Sequence, residues 1–112
     1  MHSPVSSAQI TDNVLLVQIN KTYKQGMTNN QLYGVAKEAW KVGSRREKVD
    51  YIFAVNRGVV VAVYEVEDWY EINGTGKWGF TGKVASSSIT KKYNGLSVKD
   101  YIYRNSIRYL NC

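Results

Sequence analysis

The feature that most constrains this chain is a pair of dense apolar runs separated by three turn-forming residues. Tyr51-Ile-Phe-Ala-Val55 and Val59-Val-Val-Ala-Val-Tyr64 flank Asn56-Arg57-Gly58. β-Branched and aromatic side chains favour extended backbone, and a three-residue loop ending in Gly fits a hairpin closed by a type I turn and a bulge. Both arms are apolar at consecutive positions, so both of their faces must be covered and both belong in the middle of a sheet. The second arm keeps its strand character to about Ile72. At ~3.3 Å per residue such a strand would be a rod of about 46 Å, so in a small domain it must bend or stop near Glu67.

The rest of the chain supplies partners for that hairpin. Val14-Leu-Leu-Val-Gln-Ile19 reads as a first strand. Thr28-Asn-Asn-Gln31 has the form of a capping box, and Leu32, Val35, Ala36, Ala39 and Trp40 follow on one helical face. Gly43 suits a left-handed stop, so the spacing predicts a helix running on past Trp40. Ser44-Arg-Arg-Glu47 repeats the capping pattern and predicts one further helical turn. Asn73–Gly76 is a turn, and Lys77–Ala85 is a strand whose Gly79 and Gly82 mark a bulge or a close backbone approach. Ser86–Ser88 opens a less regular stretch, Ser97-x-x-Asp100 predicts a short helix over Val98–Tyr103, and Ser106–Leu110 alternates as a half-exposed last strand. The 112 residues bound this to one domain, 14–112, after a polar, flexible segment 1–13. The expected class is α+β: a small curled sheet or partly open barrel of five to six strands, with one main helix after the first strand.

Scarcity excludes much chemistry. The lone histidine is His2 and the lone cysteine is Cys112. Ser-His-Asp triads, Cys-His pairs, intrachain disulfides and zinc sites built on these residues are excluded, and no cofactor is expected. The longest apolar run, Val59–Val63, is far short of the ~18 residues that span a bilayer. The first residues lack a basic-then-apolar signal, so a cytoplasmic, non-membrane protein is expected. Asp50, Glu65 and Glu67 fall where one hairpin arm begins and the other ends, and paired carboxylates can hold a divalent metal for phosphodiester cleavage. The Glu-x-Lys of the common restriction-nuclease core is not met, because Glu67 stands at the lysine's position. An exposed hairpin end kept soluble by acids is the simpler reading. Asn73-Gly-Thr-Gly76 precedes a strand and lacks the Gly-Lys-Ser/Thr ending of a phosphate loop.

Charge is uneven. Fifteen Lys and Arg oppose nine Asp and Glu, a net +6. Glu65, Glu67, Asp68 and Glu71 crowd one stretch, whereas Lys77–Cys112 holds seven bases and one acid, and Lys37, Lys41, Arg45, Arg46 and Lys48 form a second basic segment. Rings interleave with the bases in Trp40-Lys41, Trp69-Tyr70, Lys77-Trp78-Gly-Phe80 and Tyr101–Tyr109. Flat rings stack on base faces while Lys and Arg neutralise phosphate. The expected function is therefore a non-enzymatic module for RNA or DNA. Lys41, Arg45, Arg46, Arg104 and Arg108 are the candidate phosphate contacts, and Trp69 and Trp78 the candidate stacking platforms. Ser44, Asn56, Asn105 and Asn111 are candidate readers of base edges, while Tyr51, Phe53 and Tyr64 are assigned to the core. Two rivals use the same residues: a nucleotide or small-molecule module with the aromatics lining a closed cavity, and a protein-interaction domain using the last strand as an edge.

Two resemblances accompany this reading. Ala54-Val-Asn-Arg-Gly-Val-Val-Val-Ala-Val-Tyr-Glu-Val66 resembles the central strand pair of PUA-like barrels, the group that includes the EVE, ASCH and YTH domains. Gly26-Met-Thr28, Leu32-Tyr33, Trp78-Gly-Phe-Thr-Gly82 and Arg108-Tyr-Leu-Asn-Cys112 look like a small bacterial domain of no settled function. The PUA-like resemblance implies a barrel-like fold and binding of RNA or DNA. It also implies a flipped or modified base in an aromatic pocket, for which Trp69, Trp78, Asn56 and Ser44 are the candidates.

Overall fold

The computed structural model describes residues 10–102 and 106–112, so the candidates Arg104 and Asn105 lie outside the described residues. Five strands form one mixed sheet: β1 (Val14–Gln18), β2 (Tyr51–Asn56), β3 (Val59–Ile72), β4 (Lys77–Val84) and β5 (Ile107–Leu110), in the order β4-β3-β2-β1-β5. β1 runs parallel to β2, and every other neighbouring pair is antiparallel. The class is α+β, and strand pairing does not close the sheet. Two helices accompany it, α1 (Asn29–Ala36) and α2 (Ser87–Tyr93), where the sequence pointed to one main helix.

Burial explains the sheet's centre. Val14, Leu15, Leu16 and Val17 are all fully buried, as the unbroken apolar run of β1 requires of a strand covered on both faces. Val14 and Leu16 join Phe53, Val55 and Val63 in one core under α2, where Tyr93, Leu96 and Val98 complete it. Leu15 and Val17 join Ile52, Ala54, Tyr64 and Phe80 in a second core, against which Tyr33, Trp40, Trp69, Trp78 and Tyr109 pack. Helix α2 starts at Ser86, whose hydroxyl accepts from the Ile89 amide. Its last residue, Tyr93, buries its ring against Phe53 and donates its hydroxyl to Asp12 at 2.5 Å. Ile10, 6% exposed, belongs to the same core, so the described end of the lead-in is packed on the sheet. Val98–Ile102 forms a turn closed by the Tyr101 amide on the Val98 carbonyl, and no helix occurs there.

β3 does extend from Val59 to Ile72, and it accommodates its length by irregularity. Its register shifts against β2 at Ala54/Val55 and against β4 between Val66 and Asp68, so Glu67 has no partner across the ladder. The β2–β3 turn also differs from the type I turn with a bulge. Asn56 pairs with Val59, leaving only Arg57 and Gly58 in the loop, at φ 51 and 82. Positive φ at both central residues makes it a type I′ turn, whose twist matches that of the flanking strands.

The connection between α1 and β2 packs along β4. The capping box forms as the sequence predicts: Thr28 Oγ1 accepts from the Gln31 amide at 3.2 Å, and the Thr28 amide donates to Gln31 Oε1 at 2.9 Å. The helix, however, ends at Ala36 instead of continuing through Trp40. Trp40 exchanges two 2.9 Å backbone hydrogen bonds with Trp78, and its indole N–H donates to the Ala36 carbonyl at 2.8 Å. One side chain thus satisfies an orphan carbonyl at the helix end while its backbone joins the sheet. The Phe80 amide donates to the Lys37 carbonyl and the Gly82 amide to the Tyr33 hydroxyl, so successive donors on the outer edge of β4 are satisfied. Trp40 also lies beside Ser106 and Ile107 at β5. Through the Trp40 bridge to β4 and the stacking of Arg45 on Tyr109 of β5, this connection reaches both edge strands.

Two phenols in this region predict an alkaline sensitivity. Burial, with Tyr33 adding, pushes Tyr64 up to about 12, and burial, with the Glu38 hydrogen bond and charge adding, pushes Tyr70 up to about 12. A phenol that ionises near 10 when unfolded and about 12 when folded leaves the native state with more bound protons between those values. Its contribution is complete below about pH 10 and disappears as pH rises through about 12. Urea unfolding followed across that window is expected to show falling stability, with a smaller fall in Tyr70→Phe. A flat profile would contradict the burial of Tyr64. Among the described residues no helix is long and apolar enough to cross a membrane.

Candidate functional site

The short 3-10 turn at Ser44–Lys48 carries two consecutive arginines, each stacked on a ring from a different strand. The Arg46 guanidinium lies 3.6 Å from the centre of Trp78 on β4, and that of Arg45 lies 4.4 Å from the centre of Tyr109 on β5. Both distances are well within cation–π range, and the planar guanidinium suits parallel stacking better than an ammonium does. Arg46 Nη1 donates to the Gly43 carbonyl at 2.9 Å, while its Nε is buried with no acceptor. Arg45 donates from Nε at 3.1 Å and also from Nη2 to the Cys112 carbonyl. Burial pushes the Tyr109 phenol up and the Arg45 charge pulls it back, and the hydroxyl is buried with no hydrogen-bond partner among the described residues.

Gly43, not Ser44, caps this turn, and Ser44 contributes no capping hydrogen bond. The predicted helical turn is therefore present as a 3-10 turn with a different cap. Extended backbone at Gly43 leaves its carbonyl facing the arginines, where the Arg46 amide also donates to it at 3.1 Å. The local sequence thus folds so that two adjacent bases project toward the rim of the aromatic core.

Three open depressions adjoin the stacks. Arg45, Ile107, Arg108 and Tyr109 line one, of about 390 Å³. Ile107 also lines the next, of about 260 Å³, together with Trp40, Lys41, Lys77 and Ser106. Trp40 and Ser106 continue into a third, of about 490 Å³, walled by Gln18, Asn20, Lys21 and Glu38. Among the described residues the only side-chain ion pairs are Lys83–Glu65 and Lys92–Asp12, so Lys41, Arg45, Arg46, Lys77 and Arg108 are not neutralised by a carboxylate.

The structure thus brings Lys41, Arg45, Arg46, Trp78 and Arg108 into one neighbourhood. Ser44 is exposed on the same turn. Trp69 is half-buried with its ring 5.9 Å from Phe80 in an edge-on contact, on the same sheet face as Trp78. Asn56 sits apart, at the far end of β2, in a depression with Asn20, Tyr23, Gln25 and Arg57. Trp40, Lys77 and Tyr109 join the site; the sequence placed each in a cluster of rings and bases without making it a candidate contact. One face of Trp78 is already occupied by Arg46, so the outer surface offered to a ligand there is guanidinium rather than bare indole. Among the described residues no three His, Cys, Asp or Glu side chains gather in a way that could hold a metal ion. Glu65, one of the weighed carboxylates, is paired with Lys83 at 3.5 Å.

No protein-family model, curated protein or solved structure matches this chain.

Proposed function

We propose that this domain is a non-catalytic, PUA-like module that binds single-stranded nucleic acid across the Arg45–Arg46 turn. The observation that carries this reading is one surface on which five cations with no side-chain carboxylate partner among the described residues (Lys41, Arg45, Arg46, Lys77 and Arg108) lie around the half-buried rings of Trp40, Trp78 and Tyr109. Phosphates meet the cations, and bases stack on the guanidinium planes that the rings hold flat. The depressions are open, which suits a strand laid along the surface better than a base enclosed in a pocket. The mixed sheet with rings gathered at one rim is what supports the PUA-like assignment.

Salt dependence tests the proposal directly. If five cations each displace a counterion from a single strand, log affinity should fall against log salt with a slope of about −3.5. Fluorescence anisotropy of labelled single- and double-stranded oligonucleotides at several salt concentrations measures it, and single strands should bind tighter. Absent or salt-independent binding overturns the proposal. The depression of about 490 Å³ beside Trp40 favours a second reading, because its volume falls within the range of small-ligand sites. A mononucleotide that raises Tm as far as an oligonucleotide does would select that reading.

A further inference from the structure

We infer that Arg57, at the tip of the β2–β3 hairpin, is a further phosphate contact on the same ligand path, retained at a cost to the fold. The inference rests on the nucleic-acid reading above and extends it to the opposite end of the sheet. Arg57 occupies the first central position of a type I′ turn at φ 51. That position favours Gly, Asn or Asp, because a side chain in left-handed backbone crowds its own carbonyl. The strain is held by Asn20, whose Oδ1 accepts the Arg57 amide at 2.7 Å. Nothing in the fold repays an arginine here: among the described residues its guanidinium has no carboxylate within ion-pair distance. A residue that the backbone disfavours and the packing does not use points to a role outside the fold.

The surroundings give that role a direction. Arg57 lines an open depression of about 680 Å³ with Asn20, Asn56 and Gln25. Asn20 also lines the depression beside Trp40, and Trp40 lines the one bounded by Lys41 and Lys77. Ile107 joins that one to the last, between Arg45 and Arg108. The four depressions follow one another from the hairpin tip to β5, each sharing a lining residue with the next. Among the described residues their walls carry Lys21, Lys41, Arg45, Arg57, Lys77 and Arg108 against one carboxylate, Glu38, which already accepts the Tyr70 hydroxyl. The Lys99 stem lies across Gly58 and adds another cation at the hairpin end. A row of this charge suits a polyanion long enough to touch both ends. Asn56, separated from the arginine turn, regains a place as a polar contact along the way.

The experiment compares wild type, Arg57→Gly and Arg57→Lys with labelled single-stranded DNA of about 4 and about 12 nucleotides, lengths that bracket common single-strand sites. Arg57→Gly relieves the left-handed strain, so its Tm is expected to rise by about 4 °C. On the longer strand it should bind several-fold more weakly, with the salt slope reduced in magnitude by about 0.7, the loss of one contact. On the shorter strand its affinity should match wild type within about twofold, since one end of the row suffices. Arg57→Lys should keep the wild-type slope. An unchanged slope for Arg57→Gly on the longer strand overturns the inference and leaves the proposed function standing. A lower Tm for that variant overturns the claim that Arg57 is retained at a cost. Failure of the wild type to bind either strand overturns both readings.

Discussion

Phe80→Ala is expected to cost about 3–5 kcal/mol of stability, the range for emptying a large aromatic site that cannot collapse. Phe80 is fully buried on β4, with ring centres 5.8 Å from Tyr33, 6.1 Å from Tyr64 and 5.9 Å from Trp69. Those three partners come from α1 and both halves of β3, so the cavity would be framed by elements whose backbones are fixed elsewhere. Domains of this size have about 5–15 kcal/mol in total, so the variant should lie near the edge of unfolding at room temperature. With an m-value of about 2 kcal/mol per molar, the urea midpoint should drop by about 2 M. Tyr33→Phe provides the contrast. It keeps the ring but removes the hydroxyl that accepts the Gly82 amide at 3.1 Å, and should cost about 1 kcal/mol. If Phe80→Ala cost no more than Tyr33→Phe, the aromatic cluster would be a surface ornament and the rim that positions Trp78 would lack a foundation.

The same contrast separates what could be read in the sequence from what could not. β1, β2 and β3 were legible because their signal is local: β-branched runs apolar at successive positions dictate extended, doubly covered strands. The start of α1 was legible for the same reason, since Thr28 and Gln31 satisfy one another within a single turn. Its end was not. Ala39 and Trp40 continue the helical periodicity, but the backbone of Trp40 gains a bridge to Trp78, a partner far along the chain, and its indole is free to cap Ala36 only once the helix has stopped. Helix α2 was missed although Ser86 is an N-cap and Ile89 and Tyr93 share a face, because three consecutive serines weaken any helical signal. At the proposed site, the alternation of bases and rings singled out Arg45, Arg46 and Trp78, which the structure brings near one another. Their pairing was hidden, because each arginine takes its ring from a strand on the opposite edge of the sheet. Asn56 was placed with them on chemical type alone, and type carries no information about which end of β2 a residue occupies.

Replacing both stacked arginines, Arg45→Ala with Arg46→Ala, should lower affinity for a single strand roughly 100-fold. Each guanidinium is expected to make at least one charge-assisted contact to phosphate, worth about 1.5 kcal/mol at the low end of the usual range. Two such losses give about 3 kcal/mol, or two decades in Kd. The salt slope should shrink in magnitude by about 1.4, twice the single-strand increment. The fold should suffer much less, because exposed cation–π stacks contribute about 0.5–1 kcal/mol each. Arg45→Lys with Arg46→Lys sharpens the reading: it preserves charge but not the planar surface over Trp78 and Tyr109. It should restore the slope while recovering only part of the affinity, and the deficit then measures stacking on guanidinium. Lys83→Ala, which removes a cation already paired with Glu65, should leave binding within about twofold and calibrate the effect of net charge alone. Wild-type affinity and slope in the double alanine variant would reduce the two stacks to lids over the aromatic core.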